Sequence, residues 1–388
     1  MKISGKTMSK IRILEVSKST GGLLTYMRWL AHGIDRERFD MTFACLSENG
    51  RELAEELARI PGTHTLSWPM NRFKINIASD ARVIFRLAKL LRSGQFDIVH
   101  GHGSKAGFMV RIAAIGTGVK TAYSPHGFAF HERQKPAIAR VYALVERFAA
   151  RFLTTRIITV SDGERLDARR NRVGAEEKFV TVHSGIQPEL FGNPVDKMSI
   201  RASLDIPKDA FLVGTVGRLN PQKAPLDFVK VAAATLAKHS NAHFIFIGDG
   251  ELEPEARALS RQMGINHALT FAGNRSDVPQ LLSVMDCFLL TSHWEAFPIV
   301  ILEAMASRLP VVATALTGTL EALTDGVEGL TARPGDIDGL STAIERLMAD
   351  PVLASRLGAN ARARIEREFT RQTMMQNLMG IYKQMVTE

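Results

Sequence analysis

The chain has 388 residues, 45% of them hydrophobic and 23% charged, which excludes a disordered or fibrous protein and exceeds what one ordinary core accommodates. A net charge of +9 points to an anionic partner. Cys45 and Cys287 lie in apolar runs without metal-ligand or disulfide spacing, so they read as buried strand residues of a protein in a reducing cytosol.

Met1–Ser9 reads as a loose basic tail: no small-residue cleavage site follows it, and no run approaches the roughly 18 apolar residues of a membrane span. Beyond it, short β-rich runs alternate with helix-period segments. The first series comprises IRILEV (11–16), MTFACL (41–46), DIVHGH (97–102), RIITVS (156–161) and FVTVHS (179–184). The second comprises FLVGTVG (211–217), HFIFIGDG (243–250), LTFAG (269–273), CFLLTS (287–292) and PVVAT (310–314). Such alternation predicts parallel sheets covered by helices on both faces, and two series predict two doubly wound domains. Gly, two Pro and charges interrupt the pattern over Phe191–Asp209. Domains are expected over 1–190 and 191–370, followed by an amphipathic segment at 371–388. The basic charge is confined to the first half, which through Leu190 carries 30 Lys and Arg against 18 Asp and Glu.

In open parallel sheets ligands bind beyond the carboxyl ends of the strands, so the residues after each strand carry the information. Gly21 and Gly22 precede a helix and would leave backbone N–H groups open to a phosphate or sugar, unless they form a plain tight turn. No G-x-G-x-x-G is present, which removes support for dinucleotide binding. The segment 72–92 places Arg82, Arg86 and Lys89 on one helical face and Ile84, Leu87 and Leu91 on another. It could lie on an anionic membrane or pack its apolar stripe on the sheet, the second being slightly favoured. His100 and His102 end a strand, with Lys105 next; the sequence places no third ligand nearby, so a metal site is not expected. His126, in Pro125-His126-Gly127, also ends a strand, where a histidine can donate to a developing charge or contact a sugar hydroxyl.

In the second half, GTVGRLNPQKAP (214–225) sets Arg218 and Lys223 on a loop at a strand's end, an arrangement suited to a diphosphate. Gly248 permits close backbone approach to a ligand. Asn274, Arg275 and Val278 follow another strand. The strongest pattern is SHWEAFPIVILE (292–303), with Glu295 in a loop and Glu303 in an apolar helix. A carboxylate there is costly to bury without donors such as sugar hydroxyls, and the helix start between the two suits a phosphate. A structural or capping pair is the plainer alternative.

The motif E-AFPIVIL-E, followed by AMASRLPVVAT and preceded by G-R-L-x-x-x-K, resembles the family 4 retaining glycosyltransferases of GT-B architecture, and the resemblance covers nearly the whole chain. It implies two Rossmann-like domains with parallel sheets facing across a cleft. Glu295 would contact the donor sugar and Glu303 the ribose, while Arg218 and Lys223 would neutralise the nucleotide diphosphate in place of a metal. Phe297, Pro298 and Ile299 would face the sugar and diphosphate through their backbone, and Asn274, Arg275 and Val278 would surround the base. Gly21 and Gly22 would lie opposite the diphosphate, with Thr319 and Glu321 near the donor. His126, beside the donor sugar, and Glu295 become the catalytic candidates; His102 and Lys105 line the acceptor side, and the final helix returns to the first domain. One departure is Ser184-Gly185-Ile186-Gln187, where many relatives have N-G-I-D.

The run HGFAFHERQKPAIARVYALVERFAARF is similar to the capsular, exopolysaccharide and lipopolysaccharide branch. The partners implied are a nucleotide-sugar donor, a lipid-diphosphate-linked saccharide and an anionic membrane at the inner face of the cytoplasmic membrane. No metal or other cofactor and no nucleic acid are implied. A sugar-nucleotide 2-epimerase or a non-catalytic saccharide-binding protein on the same fold are the rival readings.

Overall fold

The computed structural model describes residues 10–18, 22–46, 50–68, 70, 76–130 and 134–388. The chain divides into two compact units, Met1–Ser184 with Arg371–Glu388, and Gly185–Thr370.

In the first unit seven strands form one parallel sheet: β1 (Ile11–Ser17), β2 (Phe39–Cys45), β3 (Thr63–Ser67), β4 (Ile98–His102), β5 (Lys120–Ser124), β6 (Arg156–Thr159) and β7 (Phe179–Thr181). Their spatial order is β3-β2-β1-β4-β5-β6-β7. The order reverses between β1 and β4, the switch point at which doubly wound sheets open a crevice at their carboxyl ends. Register there puts Glu15 beside His100 and Ser17 beside His102.

The helix Ile77–Arg92 settles one alternative left open by the sequence. Val83, Leu87 and Leu91 are buried against Leu14, Val16 and Val110, while Arg82, Arg86 and Lys89 are exposed, so the apolar stripe is core. The helix Ser104–Ala113 lies unusually close to the sheet. A Cβ on Gly107 would come within 2.2 Å of the Tyr123 ring, and one on Gly101 within 2.5 Å of Val110. Only glycine fits at either position.

Deep in the same layer, Arg111 is 1% exposed and Glu146 5% exposed. The guanidinium donates to Glu146 at 2.8 and 3.1 Å and to the Gly107 carbonyl at 2.9 Å, and it stacks 4.0 Å from the Tyr123 ring centroid. Tyr123 adds its hydroxyl to Glu146 at 3.1 Å. These contacts anchor the helix Pro136–Phe152, whose buried residues are Ala143, Glu146, Ala149 and Ala150. The terminal helix Arg371–Thr387 also belongs to this unit and buries Met374, Met375, Leu378, Ile381, Tyr382 and Met385. Met375 fills the space where Gly33 lacks a side chain.

The second unit repeats the plan with β8 (Phe211–Val216), β9 (Ala242–Ile247), β10 (Leu269–Gly273), β11 (Cys287–Leu290), β12 (Val311–Thr314) and β13 (Gly329–Ala332). The order is β10-β9-β8-β11-β12-β13, all parallel, with the switch point between β8 and β11. Val213, Phe244, Phe246, Leu289 and Val312 pack against Phe228, Val231 and Ile344 from the flanking helices. Cys45 and Cys287 are both buried in strands. Among the described residues no helix is long and apolar enough to cross a membrane. Three strands fall outside the apolar runs: β3 and β13, which are edge strands, and the inner β5, marked only by the turn at His126 that ends it; β3 (THTLS) is too polar to register.

Removing one partner of the buried ion pair leaves the other charge without compensation. Glu146→Ala is therefore expected to cost the first unit about 3–5 kcal/mol in urea unfolding, whereas replacing both Arg111 and Glu146 by apolar residues should cost much less.

Candidate active site

In the second unit the chemistry gathers at the switch point. Gly217 follows β8 and Gly248 follows β9. Gly248 adopts φ 132, and a Cβ on it would come within 2.0 Å of the Gly217 carbonyl oxygen. The Gly248 N–H donates to the Gly273 carbonyl at 2.8 Å, so glycines draw three strand ends together. The turn after β8 then carries Arg218 and Lys223. Arg218 is exposed and has no side-chain partner among the described residues.

Lys223 is committed. Its Nζ lies 2.6 Å from Glu295 Oε1, which also accepts from Ser292 Oγ at 2.7 Å. Gln222 Nε2 donates to the Trp294 carbonyl at 3.1 Å and lies 3.3 Å from Glu295 Oε2. Further bonds stitch the β8 turn to the loop after β11: Thr291 Oγ1 donates to the Lys223 carbonyl at 3.1 Å, and the His293 N–H donates to the Gln222 carbonyl at 2.8 Å. A preformed cation–carboxylate pair thus stands between the two loops that flank the switch point.

Glu303 lies on the helix Ile299–Ala306, in which Ile301, Leu302, Ala304, Met305 and Ala306 are buried. Burial pushes its carboxyl up to about 7, against the opposing charge of Lys223. No side-chain hydrogen bond to this carboxyl is formed among the described residues, so its oxygens retain acceptor capacity. Phe297 and Pro298 are buried ahead of the helix, and the Pro298 carbonyl accepts from the Ile301 N–H at 3.0 Å. Gly318 lets the next helix back onto this loop, since a Cβ there would come within 2.2 Å of the Ala296 oxygen. Thr319 beside it is buried with Oγ1 unpartnered among the described residues. The Glu321 carbonyl accepts from Arg364 at 3.0 Å. Asn274 is exposed, Arg275 is held bidentately by Asp277 at 2.8 and 2.6 Å, and Val278 opens the helix Val278–Ser283.

In the first unit a different cluster occupies the corresponding switch point. Glu15, His100 and His102 are each fully buried. His102 Nε2 lies 2.7 Å from Glu15 Oε2, and its Nδ1 lies 2.9 Å from His126 Nε2. His100 Nδ1 meets the Tyr382 hydroxyl at 2.7 Å and its Nε2 meets Ser124 Oγ at 2.9 Å. Tyr382 donates to Glu15 Oε1 at 2.7 Å. Burial alone would raise the Glu15 carboxyl, but His100 and His102 outweigh it and hold it below the ordinary carboxylate range. Burial lowers His102 to about 4, with His100 adding to the effect.

His126 itself is partly exposed and sits at φ 53, a left-handed conformation uncommon for a residue with a side chain. Glu164 holds this turn by accepting from the Gly127 and Val160 N–H groups. Gly22 begins the helix Gly22–Gly33, and Gly21 lies outside the described residues. Lys105 lies 2.7 Å from Asp80 on the neighbouring helix.

The structure supplies the third group that the local sequence around His100 and His102 lacks. Glu15, His100 and His102 present donor atoms within 4.8 Å of one another. Yet all four imidazole nitrogens are already hydrogen-bonded, so a metal would have to break the network it entered. His102, expected to line a ligand surface, is buried with both nitrogens engaged and can act on a ligand only through His126.

Sequence reasoning missed Glu15, Tyr382, Ser292 and Gln222. Glu15 was detectable, being an acid within the apolar strand IRILEVS, the same signal that singled out Glu303. Tyr382 was not, since 282 residues separate it from His100.

Two Rossmann-like units of this order, each with a polar cluster at its switch point, define the GT-B architecture. The profile described as Glycosyl transferase 4-like domain matches residues 21–185, and that described as Glycosyl transferases group 1 matches residues 196–364. The UDP-Gal:alpha-D-GlcNAc-diphosphoundecaprenol alpha-1,3-galactosyltransferase of Escherichia coli is 30% identical over 317 residues, 80% of this chain and 81% of that protein. The capsular polysaccharide biosynthesis glycosyltransferase CapM of Staphylococcus aureus is 26% identical over 391 residues, 99% of each chain. The crystal structure of Anabaena HepE in complex with UDP and glucose superposes with a TM-score of 0.82 at 20% identity, covering 96% of this chain and 100% of that one, a likeness of fold. The chain belongs to the family 4 glycosyltransferases.

The raised Glu303 carboxyl has a measurable signature. Its ordinary value is 4.5 and its folded value about 7, so ionisation destabilises the fold progressively between those values and fully above them. Glu303→Gln is expected to raise the melting temperature at pH 8 and to change it little near pH 4.5. Equal effects at both pH values would contradict the assignment.

Proposed function

We propose that this glycosyltransferase moves a hexose from a UDP-sugar, with retention, to a hydroxyl of a lipid-diphosphate-linked saccharide in bacterial surface polysaccharide synthesis. The observation that carries the donor half is the switch point of the second unit, where the exposed Arg218 and the Lys223–Glu295 pair lie on the loops beyond β8 and β11 and Glu303 lies on the helix that follows β11. Arg218 and Lys223 take the charge of the departing diphosphate, the part a metal ion plays elsewhere, so no metal is required. Glu303 accepts from ribose hydroxyls. Glu295, held by Lys223 and Ser292, positions the donor sugar, and His126 meets a substrate sugar hydroxyl. The choice of UDP follows the E. coli relative, which uses UDP-Gal, and HepE, crystallised with UDP and glucose. The lipid-linked acceptor follows the first of these, and retention follows the family resemblance.

A membrane-facing element supports the acceptor reading. The helix Pro136–Phe152, anchored through Glu146, exposes Ile138, Val141, Leu144, Val145, Phe148 and Phe152, with Arg140 and Arg151 among them. An exposed apolar face carrying arginines, on the basic half of the chain, suits the anionic inner leaflet of the cytoplasmic membrane.

Calorimetry with UDP, GDP, ADP and dTDP tests the donor assignment. UDP is expected to bind, and Lys223→Ala to weaken it by about 10- to 100-fold, the loss of one charge-assisted contact. No binding of any nucleotide by the folded protein would remove the proposal.

Flotation with vesicles tests the surface. Binding is expected to phosphatidylglycerol but not to phosphatidylcholine vesicles, and to fall on joint Phe148→Ser and Phe152→Ser substitution. Equal binding to both lipids, or none to either, would overturn the membrane reading.

A further inference from the structure

The cluster in the first unit has a direction. Glu15 is held as a carboxylate and has no proton to give, so the contact at 2.7 Å requires His102 to donate through Nε2–H. His102 is fully buried and its ring stands 4.0 Å from that of His100. A charged imidazolium is disfavoured there, which leaves Nδ1 of the neutral ring as an acceptor. The group 2.9 Å from that nitrogen is His126 Nε2, which must therefore be the donor.

We infer that Glu15 and His102 are positioning residues that fix the tautomer of His126, keeping its proton on Nε2 and presenting Nδ1 as a hydrogen-bond acceptor to a substrate sugar hydroxyl. The second half of this statement rests on the proposed contact between His126 and substrate; the first half stands on the hydrogen-bond network alone. Of the two roles open to a histidine at this turn, the network selects contact with a hydroxyl and excludes donation to a developing charge.

Three further features converge on the same ring. No hydrogen bond to Nδ1 of His126 is formed among the described residues, and His126 as a residue is partly exposed, so Nδ1 keeps its acceptor capacity. Tyr26 packs edge-on at 5.0 Å from the His126 ring and tilted at 5.4 Å from that of His102, bracing both rings. Glu164 clamps the Gly127 N–H and so maintains the left-handed φ of His126. The charged and titratable groups facing His126 are therefore His102 with Glu15 and His100 behind it, Tyr26, and Glu164 beneath the turn. Tyr382 completes the arrangement by donating to the second oxygen of Glu15, so that both carboxylate oxygens face donors. A carboxylate that sets a histidine tautomer through a hydrogen bond is established chemistry in hydrolases; here a second imidazole is interposed.

The test uses the full-length enzyme labelled with 15N-histidine, the His126 resonances being assigned by difference from a His126→Gln sample. The expected spectrum shows a protonated Nε2 and a bare Nδ1, unchanged from pH 6 to 8. A protonated Nδ1, an imidazolium at pH 7, or a metal ion co-purifying stoichiometrically and lost on Glu15 substitution would overturn the inference. Glu15→Gln then separates positioning from scaffolding. Its expected spectrum is a mixture of His126 tautomers. The kcat for transfer from UDP-galactose to a GlcNAc-diphospho-lipid should fall about 10- to 100-fold, with UDP affinity within twofold of wild type. An unchanged tautomer with kcat within twofold would refute the relay. Should Glu15→Gln fail to fold, the wild-type spectrum decides by itself. A protein with the expected tautomer that neither binds UDP nor transfers galactose would refute the proposed donor and leave the relay intact.

Discussion

A carboxylate removed from water must be matched by donors or remain under electrostatic strain, and this constraint organises both units of the chain. The buried Glu146 and Glu15 and the half-buried Glu303 show three outcomes. Glu146 receives the bidentate guanidinium of Arg111 and the Tyr123 hydroxyl, which fixes a surface helix to its sheet. Glu15 receives His102 and Tyr382, and its ionisation propagates through imidazole rings to a partly exposed histidine. Glu303 receives no side-chain donor among the described residues, and burial pushes its carboxyl up to about 7. The first is structural, the second directional, and the third leaves acceptor capacity for a ligand to satisfy.

The two units apply one topology to two chemistries. Each sheet reverses its strand order once, and each places its polar cluster on the strands beside that reversal. In the second unit the loops beyond β8 and β11 meet through the Lys223–Glu295 ion pair, with Arg218 exposed beside it. In the first, β1 and β4 meet through Glu15, His100 and His102, giving a hydrogen-bond chain without a pendant charge. The same backbone crevice thus carries an ion pair in one unit and a hydrogen-bond chain in the other.

Much of this was legible before any coordinates. Strand–turn–helix alternation announced parallel sheets, and Glu303 stood out as an acid in IVILEAMA. Lys223 and Glu295, 72 residues apart, could be assigned to one site because each follows a strand and both belong to a recognisable motif pair. The edge strand β3 was less legible, because it buries too little to need an apolar run. The relay was hidden for a different reason. His126 has ordinary chemistry by itself, and its polarity is dictated by Glu15, 111 positions earlier, through a ring that contacts nothing outside the protein. Periodicity reports which face of an element is buried; it carries no record of which distant side chain a buried acid will find.

Tyr382 gives the order of synthesis a bearing on the first unit. Its hydroxyl completes the shell of Glu15, yet the whole of the second unit, Gly185–Thr370, is made before it. Until the terminal helix is made, Glu15 Oε1 lacks its donor. The contact to Glu15 Oε1, and the packing of the helix Arg371–Thr387 on the first unit, are therefore acquired last. A chain that stops short of Tyr382 therefore cannot close the shell around Glu15 or answer His100 Nδ1.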